Sequence, residues 1–236
     1  QSDYLNLNGQ WQFNFQYDDE QISTDFIAVD YDASDWSNIT VPSNVELLGY
    51  DIPFYTNTHQ PFYSNGGNSP LPDTTPLISR NNPVSKYIRH FELPKTFEDK
   101  QIILHFGGVT SAFYLWVNGH KVGYSQGSRL PAEFDVTDYV NSGKNKIALQ
   151  VMRWSDGSYL EGQDMWKLSG IHREVLLLAQ PKVAIKDFFA RPKLTNNYQT
   201  GELHIRPFLT NSNNSSVLLL CVNLNPILSQ NSSKIL

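Results

Sequence analysis

The sequence predicts an all-β protein whose larger part is a jelly-roll β-sandwich. Three observations carry this expectation. Apolar and polar residues alternate at period two through most of the chain, short runs of this kind are separated by Gly, Pro, Asn and Asp, and no long window keeps helical spacing.

The strands follow in order. Leu7 to Phe15 and Lys86 to Leu93 read as strands by their alternation. In Lys100 to Phe106, Ile102, Leu104 and Phe106 share one face, and Phe113, Leu115 and Val117 do the same in Ser111 to Val117. Asn118-Gly119 comes next, a pair that suits the positive φ of a tight hairpin turn, so His120 to Tyr124 is the returning partner. Lys144 to Trp154 and Arg173 to Leu178 complete the set, and Thr137 is placed to cap one short turn ahead of Tyr139 and Val140. Two stretches interrupt the pattern: the acidic Asp18 to Asp35, and Gln60 to Pro83 with its Gly66-Gly67 and repeated prolines. Residues 1–180 exceed the roughly 100 of an immunoglobulin-like domain, which favours the jelly roll.

A boundary is expected at Gln180-Pro181, dividing the chain into 1–180 and 181–236. Beyond it Val183 to Ala190, Glu202 to Leu209 and Ser216 to Leu224 read as three strands, too few to close a sandwich. Val217 to Val222 is apolar on both faces and so needs cover, and the segment after Pro181 is expected to pair with a second copy in a homo-oligomer or to be mobile. The chain starts at Gln1 without a methionine, which suggests a leader removed by the cell or by cloning, and its end at Leu236 suggests that the second unit is cut through its middle.

Composition narrows the function. With 18 basic and 23 acidic side chains the net charge is −5, which gives polyanions no electrostatic footprint and argues against nucleic acid. No run approaches the roughly 18 apolar residues of a membrane span, so a soluble protein is expected, with cytoplasm and periplasm equally open. Cys221 is the only cysteine, excluding an intrachain disulfide and a Cys-based zinc site. The histidines lack zinc-ligand spacing, and no Gly-x-Ser-x-Gly elbow occurs. The Asn-x-Ser/Thr matches, such as Asn38-Ile-Thr40, are what an Asn-rich chain produces by chance.

The densest chemistry lies in residues 153–173, where Trp154, Trp166, Tyr159, Asp156, Glu161 and Asp164 crowd one loop. Aromatic faces stack on the apolar faces of sugar rings, and carboxylates accept hydrogen bonds from hydroxyls or bind hard cations, so carbohydrate suits this loop. Each residue also has a plain structural reading. Asp156 precedes Gly157 and suits a turn, Trp154 ends a strand and suits the core, Trp166 is balanced between core and sugar platform, and Glu161 is ambiguous. Arg153 and Arg173 flank the loop and are placed to pair with its carboxylates.

The run Trp154-Ser-Asp-Gly-Ser-Tyr-Leu-Glu161-x-Gln-Asp-Met-Trp166-x-x-Ser-Gly-Ile-x-Arg173 resembles the amino-terminal, sugar-binding region of the large β-galactosidases of glycoside hydrolase family 2. Leu7-Asn-Gly-x-Trp-x-Phe13, Val41-Pro-Ser-Asn44, Gly49-Tyr-Asp-x-Pro53, Tyr55-Thr-Asn57 and Gly108-Val-x-Ser-Ala-Phe113 extend the likeness. So do Trp116-Val-Asn-Gly119, Val122-Gly-Tyr124, Ser128-Arg-Leu-Pro131 and Glu133-Phe-Asp135, and it runs from Leu5 to about Ala190. The resemblance implies a galactose-binding-like jelly roll, then an immunoglobulin-like sandwich of which this chain holds the first part, then a TIM barrel carrying two catalytic glutamates and magnesium. The acid/base glutamate of the family follows an asparagine, and no Asn-Glu dipeptide occurs here. The chain is therefore expected to be a non-catalytic amino-terminal segment, inactive alone, that packs on the remaining domains of the same polypeptide.

By position in Gln-Asp-Met-Trp, the resemblance makes Asp164 the residue directed at the galactose 6-hydroxyl and a shared sodium ion. Asn57 would line the substrate entrance. Gly162 stands where the family often has aspartate, leaving Asp164 in register. The competing expectation is a free-standing carbohydrate-binding module, which would need two or three solvent-facing rings on one concave sheet.

Overall fold

A computed structural model describes residues 3–17, 22–57 and 82–211. Two antiparallel sheets face one another as the expected all-β sandwich. One has six strands in the order β3 (Ser37–Val41), β2 (Gly9–Gln16), β5 (Val84–Leu93), β11 (Gly143–Met152), β8 (Ala112–Val117) and β9 (His120–Gln126). The other has four, β1 (Tyr4–Asn6), β14 (Val175–Gln180), β6 (Gln101–Phe106) and β10 (Ala132–Asp135).

Period-two alternation becomes packing here. Trp11, Phe13, Tyr87, Leu115, Ile147 and Leu149 from the six-stranded sheet meet Leu104, Phe106 and Leu177 from the other. Each such side chain contributes about 1.5–3 kcal/mol on full burial. The run Leu7 to Phe15 begins later than expected: β2 starts at Gly9, whose φ is +113°, and Leu7 and Asn8 lie between β1 and β2. Asn118 and Gly119 take φ +49° and +82°, as the hairpin between β8 and β9 requires.

Two expectations need correction. Thr137 does not cap its turn: Asp135 Oδ1 accepts from the Thr137 N–H at 3.0 Å, while the Thr137 hydroxyl accepts from Ile102 N–H at 2.9 Å. The Asp18 to Asp35 stretch is more than a polar interruption. Its described part buries Phe26 and Ala33, with Tyr31 and Trp36 beside them, on the outer face of the six-stranded sheet against Ile88, Trp116 and Ala148. Lys86 and Lys146 lie under this cover; the Lys146 ammonium donates to Ala28 O, and burial pulls both lysines below their ordinary pKa.

Beyond Gln180, β15 (Val183–Thr195) and β16 (Thr200–Asn211) form a two-stranded ribbon, longer at both strands than the alternation suggested. Phe188 and Phe189 are 62% and 61% exposed on it. Ser216 to Leu224 with its Val217 to Val222 core, Cys221, and all of the Gln60 to Pro83 stretch except Asn82 and Pro83 lie outside the described residues. No helix among the described residues is long and apolar enough to cross a membrane.

Candidate functional site

The loop of residues 153–173 is ordered in three steps. One helical turn, α1 (Gly157–Leu160), follows β11. Strand β12 (Met165–Lys167) then pairs with β4 (Phe54–Thr56) in a separate antiparallel ribbon, and β13 (Gly170–Ile171) pairs with β7 (Val109–Thr110). The last step needs glycine. Gly170 has φ +105°, and a Cβ there would stand 3.0 Å from Ser43 O and 3.1 Å from the Tyr87 hydroxyl.

Backbone ties fix where the loop returns. Ser43 N–H donates to Ile171 O at 2.8 Å, and the Val45 N–H and the Asn44 amide both donate to Ser169 O at 3.2 Å. Val41-Pro-Ser-Asn44 and Ser169-Gly-Ile171, distant in sequence, thus form one structural unit. On the near side, Asn82 brackets Trp154 by donating to its carbonyl at 3.0 Å and accepting from its N–H at 2.9 Å.

The ribbon carries the predicted site residues. Its register pairs Met165 with Thr56, Trp166 with Tyr55 and Lys167 with Phe54; carried one step further, it sets Asn57 opposite Asp164. Both are exposed. The Tyr55 hydroxyl donates to Asp164 Oδ1, and the Tyr55 and Trp166 rings lie 5.7 Å apart. Asp164 holds the Tyr55 phenol above its ordinary pKa, first through this hydrogen bond. Nearby, the Lys167 amine donates to Gln163 O at 2.7 Å, and burial, then the positive charge of Arg129, lowers its pKa.

The other loop residues divide between anchoring and exposure. Glu161 accepts from Ser128 N–H at 2.9 Å and from the Ser128 hydroxyl, which makes it a structural anchor. Asp156 stands at the start of α1, exposed and with no side-chain cap bond. Trp154 is half-buried with the Arg153 guanidinium 5.0 Å from its ring, whereas Trp166 is 57% exposed.

The two arginines behave otherwise than expected. Arg153 is buried and pairs with Asp51, with Glu46 at 3.7 Å, both outside the loop. Arg173 donates to the carbonyls of Gly107 and Arg129 and to no loop carboxylate. Sequence reading missed Tyr55 as a partner of Asp164, although Tyr55-Thr-Asn57 was marked. It also missed the Arg153 group, because residues so far apart in the chain give no local signal of their contact.

Beneath the loop lies a cavity of about 40 Å³, bounded by Thr110, Ser128, Arg153, Trp154, Ser158 and Glu161 among others. That suits a water molecule and is far below the roughly 300 Å³ at which ligand pockets begin. On the ribbon above it Asp164, Tyr55 and Trp166 are exposed to solvent. Among the described residues no three His, Cys, Asp or Glu side chains converge as metal ligands, so Asp164 offers a cation one carboxylate and no complete shell.

Comparison with known proteins gives the following. Residues 4–181 match the profile described as glycosyl hydrolases family 2, sugar binding domain. A β-galactosidase of Vibrio cholerae is 47% identical over 204 residues, covering 86% of this chain and 19% of that protein. One from Photobacterium profundum is 48% identical over 84% of this chain and 18% of its own length, and one from Priestia megaterium is 43% identical over 88% and 20%. The chain thus spans about a fifth of the length of these relatives. Among solved structures, a Bacteroides uniformis β-glucuronidase superposes with a TM-score of 0.65 at 20% identity, covering 89% of this chain and 22% of that one. A β-glucuronidase from an uncultured Clostridium gives 0.60 at 23% identity, covering 87% and 33%. At that identity the likeness concerns the fold alone.

Proposed function

The chain belongs to glycosyl hydrolase family 2 through its sugar-binding domain, and from that membership we propose that it is the amino-terminal, non-catalytic segment of a β-galactosidase. The observation that carries this is the identity of 43–48% to β-galactosidases across most of the chain but only their first fifth in extent. Residues 1–180 form the sugar-binding unit of this reading, and 181–236 begin an immunoglobulin-like one. The parent hydrolyses terminal β-D-galactosides with retention, and its catalytic glutamates and magnesium belong to a barrel elsewhere in the polypeptide.

In this reading Asp164 and Asn57 form one rim of the galactoside site. Supporting it, Asp164 is exposed at the end of a ribbon held to the sandwich, and Tyr55 engages one carboxylate oxygen while no other described residue is hydrogen-bonded to the second. A hard monovalent cation takes oxygen ligands, so sodium would gain one ligand from Asp164 and the rest from other parts of the parent. Trp166 and Tyr55 offer apolar faces beside the carboxylate, which suits a sugar ring.

The same exposed rings are the observation that favours a second reading, a free-standing carbohydrate-binding module. Against it, they stand on a two-stranded ribbon and not on either face of the sandwich. Retaining hydrolysis needs two carboxylates about 5–5.5 Å apart across the scissile bond, and the fragment reading puts both outside this chain. The purified chain should therefore release no chromophore from a nitrophenyl β-galactoside. Turnover that disappears on replacing a carboxylate of this chain would overturn the fragment reading.

A further inference from the structure

We propose that Arg153 is the positioning residue of the Asp164 rim: its guanidinium ties the Phe54–Lys167 end of the antiparallel β4–β12 ribbon to the sandwich, and the ribbon carries Asp164 at its other end. The inference rests on the reading of Asp164 given above and goes beyond it by naming what holds that carboxylate in place.

The ribbon belongs to neither sheet. It is also poorly secured by apolar burial, since Phe54, Tyr55 and Trp166 are 37%, 48% and 57% exposed. Polar tethers take over, and they converge on one side chain. Arg153 follows β11 directly, anchored by its own N–H to Pro83 O at 2.9 Å. From there Nη1 pairs with Asp51 Oδ2, and Nη2 donates to Ile52 O at 2.9 Å and to Lys167 O at 3.4 Å. Asp51 and Ile52 lead into β4, and Lys167 ends β12. One planar group therefore grips the entry of one strand and the exit of the other, which the antiparallel register sets side by side at the base of the ribbon, with Asp164 at its far end.

Glu46 extends the grip. Its carboxylate lies 3.7 Å from Arg153 Nε and accepts from the Ser169 N–H through both oxygens, at 3.0 and 2.9 Å, and from the Ser169 hydroxyl. Arg153 and Glu46 are 8% and 3% exposed, where charges are retained only when paired and hydrogen-bonded. The geometry requires arginine. Lysine keeps the charge but presents a single nitrogen, which cannot reach Asp51, Ile52 and Lys167 together.

The test compares two substrates in the full-length enzyme, a nitrophenyl β-galactoside and the matching β-D-fucoside, which lacks only the 6-hydroxyl. A displaced Asp164 harms the contact to that hydroxyl, whereas general destabilisation lowers both rates alike. Arg153→Lys should cut kcat/KM for the galactoside about tenfold or more while the fucoside changes far less, as a misplacement of about 1 Å would do. Asp164→Asn is the reference. If Asp164→Asn alters the substrate ratio and Arg153→Lys does not, the positioning role is wrong. If Asp164→Asn itself leaves the ratio unchanged, the site reading fails instead, and amide exchange then decides the clamp. In the 236-residue chain Arg153→Lys should speed exchange at the β4 and β12 amides about tenfold with β5 and β11 unchanged. Unchanged exchange in the ribbon, or uniform loosening of the whole sandwich, overturns the clamp.

Discussion

At the scale of single residues, the loop sorts its polar groups by partner. Asp164 has Tyr55, and the raised phenol pKa makes that bond measurable without a substrate. Replacing Asp164 by Asn should return the Tyr55 phenol towards the ordinary value of 10.0, read as the ultraviolet difference between each protein and its Tyr55→Phe counterpart. A titration that Asp164→Asn leaves untouched would contradict the hydrogen bond. Glu161→Gln removes a charge-assisted acceptor from Ser128, and the chain should lose about 1–2 kcal/mol in urea unfolding. His172 sits half-buried with Nε2 unpartnered; burial first, then Arg129, lowers its pKa below the usual 6.5. The unfolded chain therefore binds this proton first, so the contribution of His172 to stability falls as pH drops below about 6.5 and levels out below its folded pKa. His172→Gln should flatten that part of a stability–pH profile. The density of aromatic and acidic residues drew attention to residues 153–173, and within the chain it was the family resemblance that singled out Asp164 and Asn57. Their hydrogen-bond partners stayed hidden, because Tyr55 lies 109 residues from Asp164 and Arg153 lies 102 from Asp51.

At the scale of elements, period two and turn chemistry were enough to place the long strands, and the hairpin at Asn118-Gly119 shows why. Its positive φ angles are a local demand, and Asn118 further donates to Tyr139 O and Asn145 Oδ1, both at 2.8 Å. Asn118→Ala should cost about 1–3 kcal/mol, measured by denaturant unfolding, because it strips buried carbonyl and amide partners. Packing across elements is less legible. Gly123 lies in β9 with the Phe134 ring so close that a Cβ would stand 2.6 Å from it. Gly123→Ala should destabilise by about 1–3 kcal/mol through overpacking, where strand propensity alone would forecast a gain. The two- and three-residue strands β4, β7, β12 and β13 gave no periodic signal, being too brief for one, and the cover at Phe26 was masked by the acidic residues around it. Tertiary burial selects such segments, so local composition does not reveal them.

At the scale of the whole molecule, the proposed function makes the sandwich a platform that presents the Asp164 rim to the rest of the parent polypeptide. One carboxylate, one amide and two rings on an open ribbon leave most sugar hydroxyls solvated, and millimolar affinity already corresponds to about 4 kcal/mol. Galactose or lactose should therefore bind the isolated chain no tighter than roughly millimolar by calorimetry; micromolar binding would favour the free-standing module. The central claim is that Asp164 belongs to a sodium and galactoside site completed by the rest of a β-galactosidase. The most direct measurement is a sodium titration of hydrolysis by the full-length enzyme, wild type beside Asp164→Asn. Asparagine keeps the shape and removes the charge, so the account predicts a large loss of turnover and a flat response to sodium, with the sandwich still folded by circular dichroism. An Asp164→Asn enzyme that keeps both its rate and its sodium activation would contradict it.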